Sequence, residues 1–176
     1  MIFTREVLDR LVVRGAAPEQ LRDAPGARQG ADQSLPGDLY PLLGITSEDE
    51  VANWVVQRDG VTVETSSIAL GPARSQRTHT TTGPAGTPMV PGRTLVVYDS
   101  YFYRAEAQLA PYFIELTTVH WDNLIPMARD GKVPEFDRVI FQSVQRSWPR
   151  RTMDQLADPA VTATLNAELS KPAGQR

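Results

Sequence analysis

Cysteine is absent from the 176 residues, and histidine occurs only twice, at His79 and His120. The first absence excludes disulfides, cysteine-ligated zinc, iron–sulfur clusters and a thiol nucleophile. The second confines any imidazole base from this sequence to two positions. Long apolar runs are lacking as well. Leu95 to Tyr98 is typical of the longest, against the ~20 residues that span a bilayer. Charge of one sign is not in excess: 18 basic against 21 acidic residues leave a net −3. That balance provides neither the basic stripe of a nucleic-acid interface nor a polybasic patch for an anionic membrane. The first residues, MIFTREVLDRLVV, place Arg5, Glu6, Asp9 and Arg10 where a signal peptide keeps an uninterrupted apolar core. What remains is a chain 41% hydrophobic and 22% charged, which fits a soluble domain long enough to bury a core.

The chain divides by composition. Thr4 as N-cap with Val7, Leu8, Leu11 and Val12 on one face predicts a short amphipathic helix ended by Gly15. Residues 15 to 36 lack apolar periodicity and carry Pro18, Pro25, Gly26, Gly30 and Pro36, so residues 1–36 read as a helix plus flexible linker. Residues 37–170 read as the globular part and 171–176 as a disordered tail. Asp38 to Gly44 suits a capped helical turn. Ser47-Glu48-Asp49-Glu50 matches a capping box, although the residues after it suit a strand equally. Asp59-Gly60 predicts a tight turn inside a hairpin over residues 51–70. A further short strand is expected around Thr78 to Thr82.

Strand and helix then alternate: strand 94–98, helix 102–111, strand 113–120, helix 124–129, strand 138–144. A last helix over 152–170 is interrupted near Pro159. This alternation predicts an α/β fold with a mainly parallel sheet and right-handed crossovers, in which ligands bind beyond the carboxyl ends of the strands. The first strand of the trio ends in Tyr98-Asp99-Ser100-Tyr101, directly before a helix. A serine at such a turn presents its hydroxyl above the sheet, where amides at the helix start can steady an oxyanion. The same residues also suit a plain helix cap.

Val96-Val97-Tyr98-Asp99-Ser100-Tyr101, Leu109-Ala110-Pro111-Tyr112-Phe113 and the strand ending at Val119-His120 resemble the SGNH-hydrolase-like alginate O-acetyltransferase family. Gly37-Asp38-Leu39 upstream and Ser143-Val144-Gln145-Arg146-Ser147-Trp148 downstream extend the resemblance over residues 37 to 148. It implies a three-layer SGNH-like fold, incomplete at its amino-terminal side, in which Ser100 accepts an acetyl group and passes it to a sugar hydroxyl. It also implies a polysaccharide substrate, a membrane acetyl-donor protein as partner, and a periplasmic, cell-surface or extracellular location. It implies no metal or organic cofactor; the charge balance points to no nucleic acid as partner, and the short apolar runs to no direct insertion into a membrane.

The sequence departs from the family at Tyr101, where phenylalanine is usual, and at Gln145, where glutamate is usual. It also lacks the upstream Asp-x-His-Trp block that supplies the acid and base. His79 follows Arg77-Thr78, and His120, although followed by Trp121, has Thr118 at the aspartate position. Serine needs a neighbouring base, which leaves three readings. The chain is the later part of a longer acetyltransferase; or it is a small esterase in which His120 serves, with Asp122 as its orienter; or it is a non-catalytic carbohydrate-binding or assembly module. Arg104 and Arg146 suit bidentate contact with an acidic polysaccharide, or else surface ion pairs. Trp54, Trp121 and Trp148 suit sugar stacking or core packing alike. His120-Trp121-Asp122 has too few converging ligands for a metal site.

Overall fold

The computed structural model describes residues 2–23, 28–29, 33–36, 48–51, 54–71, 74–99, 102–143 and 153–171. In chain order these form α1 (Ile2–Val13), a 3-10 turn (Glu19–Asp23), and four short strands. The short strands are β1 (Arg28–Gln29), β2 (Gln33–Pro36), β3 (Glu48–Val51) and β4 (Trp54–Val55). The main body follows as β5 (Thr62–Gly71), β6 (Arg74–Thr82), β7 (Val90–Tyr98) and α2 (Tyr103–Leu109). It continues with β8 (Phe113–His120), α3 (Trp121–Arg129) and β9 (Arg138–Phe141), then α4 (Met153–Ala157) and α5 (Pro159–Leu169).

Five residues in succession, Thr94 to Tyr98, are buried. A strand hidden on both faces belongs in the middle of a covered sheet, and β7 lies there. The sheet order is β5-β6-β8-β7-β9. β7 runs parallel to β8 and β9, while β6 is antiparallel to both β5 and β8. The sheet is therefore mixed rather than mainly parallel: a parallel trio extended by an antiparallel hairpin.

Alternation along β7 builds two cores. Val96 and Tyr98 face α1 and α2, joining Leu8, Val12, Phe102 and Leu109. Leu95 and Val97 face the opposite way and meet Trp121, Leu124, Met127, Val161 and Leu165 from α3 and α5. Each fully buried aliphatic side chain contributes about 1.5–3 kcal/mol, so helices on both faces are the natural cover for this strand. The result is a three-layer α/β arrangement. The connection from β7 to β8 runs through α2 on the first face. The next, from β8 to β9, runs through α3 on the second face and passes to the far side of β7.

The strand–helix alternation expected over residues 94–144 is present; α2 is shorter than expected, and α3 begins three residues earlier than expected, at Trp121. The break near Pro159 is present too: Asp158 caps α5 by accepting from the amides of Ala160 (2.9 Å) and Val161 (3.4 Å). The hairpin expected over 51–70 is displaced. Trp54–Val55 pairs with Arg28–Gln29, and the true hairpin is β5 with β6. The reason is Arg58, just before the Asp59-Gly60 turn. Its buried guanidinium donates to the carbonyls of Pro111 (2.7 Å) and Pro88 (2.8 Å) and lies over the Tyr112 ring. The turn forms, but it swings the chain away from 54–57 toward β6.

Residues 16–23, read as linker, hold the 3-10 turn, and its Leu21 is fully buried in the same core as Leu8 and Val12. Thr4 lies inside α1 rather than capping it. Of the Ser47–Glu50 capping-box residues, Glu48–Glu50 belong to a strand paired with β2. Asp38 to Gly44 and the tail after residue 171 lie outside the described residues.

Gly92 interrupts the pairing of β7 with β8 between Val90 and Arg93 and has φ +73°. A Cβ there would sit 2.4 Å from Asp137 Oδ2, the oxygen that accepts the Arg93 amide at 2.6 Å. Gly92→Ala therefore combines backbone strain with loss of that bond. It should destabilise the fold by about 2–3 kcal/mol, read as a lower urea midpoint at unchanged slope; an unaltered midpoint would contradict this.

Candidate functional site

In an open α/β sheet the crevice for ligands lies beyond the carboxyl ends of the strands, where successive crossovers leave in opposite directions. That position is the end of β7, with β8 on one side and β9 on the other. Tyr98 and His120 end their strands side by side. Their rings meet edge-on at 5.6 Å, and Phe102 lies 5.3 Å from Tyr98. The Phe102 amide donates to the Asp99 carbonyl (3.0 Å), which ties the start of α2 to the strand end.

From the β9 side, Gln142 holds the same turn twice. Its amide donates to the Val97 carbonyl (2.9 Å), and its side-chain Oε1 accepts from the Asp99 amide (3.1 Å). Trp121 Nε1 in turn donates to the Gln142 carbonyl (2.8 Å), and its ring stacks on Phe141 at 5.4 Å. Gln142 was not singled out in the sequence, because nothing local marks a glutamine one residue past a strand as a bridge to another strand's end. Trp121, a possible sugar platform by sequence, is 2% exposed and serves the core. Ser100 and Arg146 lie outside the described residues. Arg104 is placed on α2 by its backbone alone.

His120 is the N-cap of α3. Its Nδ1 accepts from the Asp122 amide at 3.2 Å, and the Asp122 carboxylate stands 3.8 Å from the same nitrogen. A ring nitrogen that accepts from an N–H carries no proton, so the proton of the neutral ring is assigned to Nε2. Activating a serine requires the reverse, with Nδ1–H held by a carboxylate and Nε2 free to take the hydroxyl proton. Asp122 thus approaches His120 through its amide, not as the expected orienting carboxylate.

The other histidine is engaged elsewhere. Alternation along β6 puts Arg77, His79 and Thr81 on the α1–α2 face, and β8 adds Thr118 there. α2 lowers Glu106 onto them, with its side chain only 3% exposed. Glu106 Oε2 accepts from Arg77 Nη1 (2.7 Å), and Oε1 accepts from His79 Nε2 (2.8 Å) and from the Thr118 hydroxyl. His79 Nδ1 meets Thr65 Oγ1 at 2.9 Å. His79 pairs with Leu116 across the sheet. That places it four residues short of the carboxyl end of β8, roughly 13 Å at ~3.3 Å per residue. A groove bordered by Gln20, Thr81, Pro88, Met89 and Ile114 opens at the amino ends of β7 and β8, the opposite edge.

Burial pushes the Glu106 carboxyl up. The hydrogen bonds from His79 and Thr118 and the charges of His79 and Arg77 outweigh this and hold it below the ordinary carboxylate range. A depressed pKa contributes stability that is present above the unfolded value, about 4.3. It is lost as pH falls through the lower folded value. Glu106→Ala, which removes the carboxylate shared by Arg77, His79 and Thr118, should cost about 3–5 kcal/mol. In urea titrations between pH 3 and 7, on the order of the carboxylate range, the wild type should lose stability on acidification more steeply than Glu106→Gln. Parallel curves would refute the assignment.

Among the described residues no three His, Asp or Glu side chains gather as a metal site, and no helix is long and apolar enough to cross a membrane. Comparison with known proteins returns no match: no family model, no curated protein and no solved structure matches this chain.

Proposed function

We propose that this chain carries the serine of an acyl-transfer site of SGNH-like type, and that Ser100 acts on polysaccharide as an O-acetyltransferase nucleophile. One observation carries the reading. β7, the strand at which the crossovers diverge, is the strand that runs into Asp99-Ser100, so the chemistry-bearing pair follows the position where such folds bind ligands. In the reaction the Ser100 hydroxyl attacks the acetyl carbonyl of a donor, and the donor's leaving group departs with a proton. The acetyl-serine ester is then attacked by a sugar hydroxyl, which regenerates the serine. Arg104 and Arg146 are the candidates for holding an acidic sugar chain, and a membrane acetyl-donor protein outside the cytoplasm is the matching source of acetyl.

Neither histidine of the sequence is set to take the serine proton. His79 is committed to Glu106 in mid-sheet, and His120 offers a protonated Nε2. The reading therefore takes its base from a group other than these two histidines, and the small-esterase reading with His120 as base is disfavoured. The same observation favours a second reading, a carbohydrate-binding module that keeps the sheet without the reaction.

An activated acetyl ester such as p-nitrophenyl acetate separates the two. Incubation should add one acetyl group to Ser100, seen by intact-mass and peptide mass spectrometry, and Ser100→Ala should take up none. A positioned general base contributes about 10²–10⁴-fold, so added imidazole should accelerate turnover by about tenfold or more in the wild type. Once the hydrolysis of the ester by imidazole alone is subtracted, it should do so in His120→Ala but not in Ser100→Ala. Identical labelling and rates in wild type and Ser100→Ala would remove the nucleophile and leave the binding module.

A further inference from the structure

The outer edge of β5 is independent of the acyl-transfer reading. β5 ends the sheet on its side, and among the described residues no strand pairs with its free edge. From Thr62 to Ala69 every residue but Val63 is exposed, and Ile68 keeps 59% of its surface open to solvent. Proteins protect sheet edges with short strands, lysine, proline, central bulges or a covering element. β5 has little of this: among the described residues no element pairs with its outer edge, and its one charge is Glu64. It is ten residues long, contains no Lys, Arg or Pro, and its one irregularity, between Ala69 and Gly71, falls at its end. The opposite edge, β9, is only four residues long.

We propose that β5 is a dimerisation edge, to which a second copy of this chain adds its own β5 in antiparallel register about a two-fold axis at Ser66. The strand's sequence favours its own copy as the occupant. With the axis at Ser66, residues 62 to 70 all find partners. Ser66 faces the other copy's Ser66, Thr65 faces Ser67, Glu64 faces Ile68, and Thr62 faces Leu70. The only charge on the strand, Glu64, therefore never meets its copy, and its aliphatic stem covers the exposed Ile68. Moving the axis to Glu64 would set the two carboxylates opposite each other, which is destabilising, and moving it to Ile68 would shorten the ladder. Small hydroxyl residues at the axis allow close approach and cross-strand hydrogen bonds. The two five-stranded sheets become one continuous sheet.

The absence of cysteine makes the test clean. Sedimentation equilibrium of the wild type over about two decades of concentration should show a reversible monomer–dimer equilibrium. Ser66→Lys places two like charges at the axis and should weaken dimerisation by about tenfold or more. Its far-ultraviolet circular dichroism should be unchanged, because Ser66 is exposed. Ser66→Cys should form a disulfide-linked dimer on mild oxidation, whereas Thr82→Cys, exposed on β6, should not. A wild type that stays monomeric overturns the proposal. So does a dimer that Ser66→Lys leaves intact and Ser66→Cys fails to link. Uptake of an unrelated extended peptide at β5 by a monomeric chain would overturn the second copy as the occupant.

Discussion

A carboxylate with only 3% of its side chain exposed cannot stand alone in a protein interior, and much of this structure is organised around giving Glu106 its partners. Arg77 and His79 come from β6, Thr118 comes from β8, and the carboxylate itself comes from α2. Those four side chains join the antiparallel half of the sheet to the helix of the parallel half. Thr81 adds a second tie on the same face by donating to the Ala110 carbonyl just past α2. α2 is the element that follows Asp99-Ser100, so the network fixes the downstream end of the proposed catalytic turn. It also engages both nitrogens of His79, one with Glu106 and one with Thr65.

The upstream end of that turn is held differently. β7 is buried on both faces, and its last residues are gripped from β9 by Gln142, which bonds to Val97 and to Asp99. Trp121, at the head of α3, fixes Gln142 in turn. The end of β7 is thereby tied to the start of α2, to β9 and, through Trp121, to α3, one element from each layer. A nucleophile needs this kind of support, because small displacements of a reacting group cost large factors in rate. A plain helix cap does not, and that difference is why the strand end merits the functional reading.

The parallel trio was legible because its signals are local. Leu95-Val96-Val97-Tyr98 and Leu116-Thr117-Thr118-Val119 are continuous strand formers, and Pro159 after Asp158 marks a helix start by capping chemistry alone. The hairpin was misplaced because its deciding interactions are remote. Asp59-Gly60 is a sound turn, yet Arg58 beside it is bound to carbonyls 30 and 53 residues away. The buried state of α1 was hidden for the same reason. Leu8, Val12 and Leu21 are a modest apolar stripe in sequence and become core only because Phe102 and Leu109 lie across from them. Arg77 and His79 on a threonine-rich strand read as polar edge residues. Only the approach of Glu106 from another element turns them into a buried network.

The histidine count set the functional question, and tautomer chemistry answers more of it than distance does. His120 ends β8 beside the end of β7, so position alone recommends it as the base for Ser100. Its ring, however, receives the Asp122 amide on Nδ1, and the helix start that supplies this amide is the one that His120 itself caps. To become a base toward Ser100, the ring would have to give up that cap, move its proton to Nδ1 and draw in the Asp122 carboxylate from 3.8 Å. A lost N-cap costs about 1 kcal/mol, which is small beside the effect of a working base. The barrier to the His120 reading is therefore geometric rather than energetic. A base brought to the Asp99–Ser100 turn from outside these residues needs no such rearrangement, and His120 can remain the cap that holds α3, and through Trp121 the Gln142 clamp, in place.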